Sequence, residues 1–186
     1  MTTLNVTNLK NASSSSNNLV LNSNGSVTGA GKILQVVQTV KKDVFTTSSS
    51  GSSWVEVTGL NVSITPSSTS SKILIDANIS YSPGSTTYTV FFSLYDGSTQ
   101  LTDFIGDAGQ SSQTRTTAME RIHANSPGTS RVNALISPSS TSAKTYKIYC
   151  LNENNGSLSI NQMHANSNYQ YFGRSISTIT AMEVSA

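Results

Sequence analysis

Residues 54–81, WVEVTGLNVSITPSSTSSKILIDANISY, hold two runs of alternating apolar and polar residues joined by a Pro/Ser/Thr connection. In the first, Leu60, Val62 and Ile64 alternate with Asn61 and Ser63. In the second, Ile73, Ile75, Ala77, Ile79 and Tyr81 alternate with Leu74, Asp76, Asn78 and Ser80. Side chains of a strand point to opposite faces with a period of two, so each run has one core face and one wetter face. Pro66 cannot donate to a ladder and ends the first run. Ser67 to Ser71 then form a polar turn before Lys72 starts the second. The stretch encodes two half-buried strands.

The same pattern extends outward. GKILQVVQTV (31–40) is a strand, and Val44-Phe45 continues it after a break at Lys41 to Asp43. Ser82-Pro83-Gly84-Ser85 reads as a type II turn. Val90, Phe92 and Leu94 continue an alternation begun at Tyr88, and Asp96-Gly97 is a hairpin signal leading into Gln100-Leu101. Asp103 to Thr117 reads as a long polar loop. Further strands are expected over 118–124, 131–136, 145–151, 158–164 and 175–184, with a turn at Asn154-Asn155-Gly156. About nine short strands punctuated by Gly, Pro and Asn predict an all-β, antiparallel, jelly-roll-like β-sandwich.

Composition narrows the class. The chain has 186 residues, enough for one domain with a sizeable core. Only 11% of residues are charged, and Ser, Thr and Asn make up roughly 40%. Clean alternation of β-branched and aromatic residues separates this chain from disordered tracts of similar polarity. Net charge is +2 and the basic residues are scattered apart from Lys41-Lys42, which argues against nucleic-acid binding. The N-terminus lacks the basic start and apolar core of a secretory signal, and no run is long enough to span a bilayer. The lone Cys150 has no internal partner, so stability is expected not to depend on oxidation. Asn-x-Ser/Thr triplets at Asn5, Asn24, Asn61 and Asn78 are read as chance in so Asn- and Ser-rich a chain. Synthesis and folding in a cytoplasm are the expectation.

Residues 1–31 differ from the rest. Short apolar pairs, including Leu4, Val6, Leu9, Leu19, Leu21 and Val27, are separated by Ser, Asn and Gly, with a hairpin dipeptide at Asn24-Gly25. Too little apolar surface is present for independent folding, so the segment reads as an extended N-terminal docking arm, ordered by packing on something else. The alternative is a loose tail. The sandwich domain is assigned to 32–186.

Two echoes run through the chain. ITPSSTSSK (64–72) recurs as ISPSSTSAK (136–144), and HANS occurs at 123–126 and 164–167. The first is read as one turn device used twice. A full tandem duplication is not expected, since the flanks do not align and the spacings fit no common repeat.

At family level, several blocks carry a resemblance: GKILQVVQTV, SSWVEVTGLNVSITPSSTSSKILI, GDAGQSSQTRTTA, TSAKTYKIY and YFGRSISTITAMEV. Together they resemble virion structural proteins, tail-fibre-like or decoration proteins, of tailed phages of marine bacteria and cyanobacteria. The opening TLNVTNLKNAS…NLVLNSNGSVT is similar to the N-terminal segments of phage fibre proteins. The resemblance covers about residues 31–184. It implies a β-sandwich displayed on a particle as a homotrimer, with other virion proteins of capsid or tail as partners and the virion as its location.

Candidate sites are few. There is no Gly-x-Ser-x-Gly elbow, and His123 and His164 are the only histidines, so no enzyme is expected and no cofactor is assigned. Each histidine reads as a strand-end residue making ordinary hydrogen bonds. The sharper alternative is a metal held by His123 and His164, which only a trimer could complete with three or four ligands. Asp103 and Asp107 flank Gly106 but lack EF-hand spacing, so a solvated loop is the reading. Trp54, Arg115, Tyr169, Tyr171, Phe172 and Arg174 are candidates for a subunit interface or for stacking on a host surface glycan. Trp54 is expected to cover one end of the core. The two readings of the whole are a virion structural component and a carbohydrate-binding adhesin.

Overall fold

The structure, a computed structural model, describes residues 32–48, 53–84, 88–153 and 156–185, together with three short strands nearer the N-terminus. Those three are β1 (Asn8–Leu9), β2 (Leu19–Leu21) and β3 (Val27–Thr28). The rest are β4 (Ile33–Lys41), β5 (Phe45–Thr47), β6 (Val55–Ile64), β7 (Lys72–Pro83), β8 (Tyr88–Asp96), β9 (Thr99–Gln100), β10 (Ala118–Ile122), β11 (Gly128–Ile136), β12 (Lys144–Asn152), β13 (Leu158–Ile160) and β14 (Ser177–Val184). A 3-10 turn, Thr102–Phe104, interrupts the strands between β9 and β10.

Two antiparallel sheets face each other. The first runs β4-β14-β7-β11, with β13 and β5 prolonging the β14 and β4 columns along the far half of β7. The second runs β6-β12-β8-β10, with β9 hairpinned onto β8. Taking the eight main strands in chain order, strand one pairs with eight, two with seven, three with six and four with five. A double ribbon paired in that way and rolled up is a jelly roll. The fold class read from the sequence is the fold observed.

Alternation places the core where the sequence puts it. Leu60, Val62 and Ile64 of β6, Ile73, Ile75, Ala77, Ile79 and Tyr81 of β7, and Val90, Phe92 and Leu94 of β8 are all buried. They close against Val132, Tyr146, Ile148, Ile160 and Ile179. Tyr81 meets Phe92 edge-on at 5.4 Å, and Gly128 lies opposite Tyr81 because a side chain there would enter its ring, 2.8 Å away. Burial pushes the Tyr146 hydroxyl and the Cys150 thiol each up to about 12, so this cysteine is an inert packing residue.

The repeated turns have a structural reason. ITPSSTSSK carries the chain from β6 in the second sheet to β7 in the first, and ISPSSTSAK carries it from β11 in the first to β12 in the second. Ile64 pairs with Lys144 and Ile136 with Ile73, so the two corners lie side by side and run in opposite directions. Each contains the same serine turn: Ser70 N–H donates to Ser68 Oγ at 3.3 Å, and Ser142 N–H to Ser140 Oγ at 3.0 Å. The HANS echo is weaker. Ser126 N–H closes a turn on His123 O, whereas the second turn closes one residue earlier, from Asn166 N–H to Met163 O.

Several expected boundaries move. The strand begun at Leu158 ends at Ile160 rather than His164, because Asn161 adopts φ 66 and leaves the ladder. Its side-chain Nδ2 donates to Lys41 O at 2.9 Å and Asp43 O at 3.0 Å, which fixes the break between β4 and β5 at residues 42–44. Lys41 itself stays in β4, with its buried ammonium 2.6 Å from Asp43 Oδ2. Where a type II turn was expected at 82–85, β7 continues through Pro83, and 85–87 lie outside the described residues. Strands β2 and β3 pair as a hairpin would, and the Asn24-Gly25 turn lies outside the described residues. So do Leu4 and Val6.

Candidate functional site

The outer face of the first sheet has two unlike halves. Over its far half, around Ser80 and Ser82 of β7, the 161–176 segment folds back as a roof. His164 N–H donates to Ser82 Oγ at 3.1 Å, His164 Nδ1 lies 3.2 Å from Ser159 Oγ, and Ser80 Oγ meets Ser175 Oγ at 2.7 Å. Asn161 anchors the roof at its base. Besides the two carbonyls its amide holds, Asn161 accepts from Ser175 N–H at 3.1 Å and from Ser177 Oγ at 2.7 Å, and its own N–H donates to Ser80 O. Every polar atom of this buried residue has a partner, which makes it a rigid pivot.

The tip of the roof carries four of the residues singled out from sequence. Tyr169 and Tyr171 are 61% and 72% exposed, with ring centroids 5.4 Å apart. Phe172 N–H closes a turn on Tyr169 O, and Arg174 Nη2 donates to Asn166 Oδ1 at 3.1 Å. Asn166, Asn168, Tyr169, Phe172 and Arg174 line a shallow depression of about 340 Å³. Two exposed rings beside amides and a guanidinium form an amphipathic surface suited to a polar partner with apolar faces.

The structure does not bring Trp54 and Arg115 to this tip. Trp54 leans on Tyr95 (centroids 6.4 Å), which stacks on Tyr149 at 3.9 Å; Tyr95 alternates with core residue Leu94 and so lies on the outer face of the second sheet. Trp54 therefore extends an outer aromatic row; Val55, the next residue, is the one that packs against the core. Lys147 and Glu56 pair at 2.9 Å beside that row. Arg115 closes the 103–117 loop by donating from Nε to Gly106 O at 2.7 Å. It also lines a groove of about 650 Å³ over the same outer face, with Phe91 and Met119 as apolar lining and Arg121 at one side. Phe91, Met119 and Asn166 were not anticipated, although Met119 falls opposite Phe91 once the β8–β10 register is known.

Among the described residues, no three His, Cys, Asp or Glu side chains are grouped to hold an ion. Likewise, none of the described helical residues forms a helix long and apolar enough to cross a membrane.

One carboxylate is unusual. Glu183 is buried at the end of β14, where Gln35 Nε2 donates to Oε2 at 2.6 Å and Ser67 donates to Oε1 from both N and Oγ at 2.7 Å. Burial alone would raise its pKa. Hydrogen bonds from Ser71, Gln35 and Ser67 outweigh that and bring it down to about 2. Glu183 clasps the first corner turn to the last strand, a structural role.

No family model and no curated protein matches the sequence. Among solved structures, the fold is similar to that in a structure of infectious bursal disease virus Gx strain, with TM-score 0.43 and 16% identity over 87% of this chain. It is also similar to that in the T13 particle of the same virus, with TM-score 0.45 and 11% identity over 87% of this chain. The chain spans about two-fifths of the length of those proteins, 40% and 38% respectively.

Proposed function

We propose that this chain is a non-enzymatic structural protein of a virus particle, a trimeric tail-fibre or head-surface decoration module held by its N-terminal arm. The observation that carries the reading is the polarity of the sandwich. The arm joins β4 at Ile33, which lies beside Val184 and, through it, Lys72 at the near end of β7. The tyrosine-bearing roof bonds to Ser80 and Ser82, roughly 26 Å further along that strand at about 3.3 Å per residue. Attachment and presentation thus sit apart on a rigid β-sandwich, as an appendage requires. The phage-fibre resemblance of residues 1–31 and 31–184 supports the same reading. Deleting residues 2–31 is expected to abolish co-sedimentation with particles while the far-ultraviolet spectrum of the sandwich is retained; full attachment without the arm would remove its assigned role.

A second reading, a receptor-recognition adhesin that binds host glycan, is favoured by the exposed Tyr169–Tyr171 pair beside Asn166 and Arg174. On a glycan array, binding that Tyr171→Ala weakens at least tenfold supports it, and an array with no bound sugar counts against it.

A further inference from the structure

Charge in the roof is concentrated in one side chain. Between Glu153 and Glu183 the only Lys, Arg, Asp or Glu in the sequence is Arg174. Other arginines of the chain are held by acids. On the near half of the first sheet's outer face, where Val36 and Leu135 are exposed, Arg131 grips the Asp76 carboxylate at two points, 2.7 and 2.8 Å. Arg121 Nη1 lies 3.4 Å from Glu153 Oε2. No carboxylate of the described residues pairs with Arg174. Its Nη2 donates to Asn166 Oδ1, and one bond there still leaves an edge of the planar fork, two parallel N–H groups, for another acceptor.

The fold sets the position of this group. The Arg174 backbone bridges Gln162, and the next residue, Ser175, donates to the pivot Asn161. Asn166, which orients the side chain, sits in a turn closed on Met163 O. A cation placed in this way loses little freedom when it takes a ligand. The depression it lines also holds the rings of Tyr169 and Phe172 and the amide of Asn168, with no acid among its lining. Its volume of about 340 Å³ suits a small ligand unit. Ring faces accept the C–H face of a sugar, and amides match its hydroxyls. The groove of about 650 Å³ on the second sheet differs, because Asp107 and Glu120 line it together with Arg115 and Arg121. That groove carries both signs of charge; the tip carries one.

From this arrangement we infer that the tip selects an acidic saccharide, whose carboxylate takes the open edge of Arg174 while its ring rests against Tyr169 and Phe172. The inference rests on the second reading above, that the tip binds glycan, and adds the sign of the ligand's charge and the residue that reads it. A planar carboxylate meets the guanidinium fork at two points, as Asp76 meets Arg131 within this chain. A neutral sugar keeps the ring contact and the amide bonds but leaves that edge of Arg174 to water.

The test uses the full chain and oligosaccharides in matched pairs: glucose with glucuronate, galactose with galacturonate, mannose with mannuronate. Titration calorimetry is expected to show one acidic member bound at least about tenfold more tightly than its neutral twin, as a hydrogen bond between charged groups implies. Raising the salt concentration should narrow that gap. Arg174→Gln should erase the gap and keep the weaker neutral binding, whereas Arg121→Gln, away from the tip, should preserve it. Arg174 is exposed, so its variant should keep the wild-type melting midpoint, which separates lost recognition from lost folding. Equal affinity within every pair would overturn this inference and leave the glycan reading standing. Binding to no sugar would overturn both, and an acid preference that survives Arg174→Gln would overturn the role given to Arg174.

Discussion

The two corner turns, 64–72 and 136–144, share seven of nine residues and differ in what they touch. Both fold the double ribbon between sheets, and both use a serine hydroxyl to catch the backbone two residues on. In the first, Ser67 gives N–H and Oγ to the buried Glu183 carboxylate. In the second, the equivalent Ser139 takes φ 49, a left-handed conformation that costs a non-glycine residue about 1 kcal/mol. Local sequence is enough to specify the reversal of direction. A partner 116 residues further along the chain decides whether the turn is clasped or strained.

The strongest way to break that comparison is to remove the clasp. Glu183→Ala leaves the donors of Gln35 and Ser67 without their acceptor, and chemical denaturation should show a loss of about 2–3 kcal/mol. The corner at 136–144 should keep its amide-exchange protection relative to global stability, while the corner at 64–72 loses protection. Equal loss at both corners would show that they are coupled rather than independent.

Acid should unfasten the same clasp more gently. The folded pKa of Glu183 lies at about 2, below the ordinary 4.5, so the folded state binds fewer protons than the unfolded chain between those values. Its contribution is complete above about pH 4.5 and is lost as pH falls through 2. Urea midpoints of wild type and Glu183→Gln should therefore converge over that window. Parallel midpoints from pH 6 to pH 2 would contradict the clasp.

The smallest expected effect sharpens the contrast from the other side. Ser139→Gly relieves left-handed strain and should change stability by less than about 1 kcal/mol, in the stabilising direction once glycine's extra unfolded-state freedom is subtracted. Ser67→Gly, which discards a hydroxyl bonded to a buried carboxylate, should destabilise. Thermal melts of the two variants should shift in opposite directions.

Much of the sandwich was legible because its signals are local and periodic. Leu60 to Tyr81 alternate over two strands, and Asp96-Gly97 marks a hairpin whose Gly97 has φ 60. Asn161 and Glu183 were illegible for the opposite reason. Nothing in SINQMH separates a pivot asparagine from a strand residue, since the carbonyls it holds, at Lys41 and Asp43, come from 118 to 120 residues earlier. Glu183 alternates with Met182 and Val184 and reads as an ordinary strand-end acid until Ser67 and Gln35 are seen around it. The exposed tyrosines were recognisable as a cluster; their place at the tip of a roof, well apart from Trp54 and Arg115, depends on pairings that no spacing reveals.

The position of β14 has a consequence for how the molecule is made. This strand, residues 177–184, follows both of its neighbours in sequence and sits between β4 and β7, so it is a central plank of the first sheet. While a ribosome is still producing those residues, β4 has no neighbour in its sheet and β7 presents an open edge. The nascent chain cannot close its barrel-like shell strand by strand as it emerges. The first sheet cannot close until this plank is made, and until then the unpaired edges of neighbouring growing copies are available to one another.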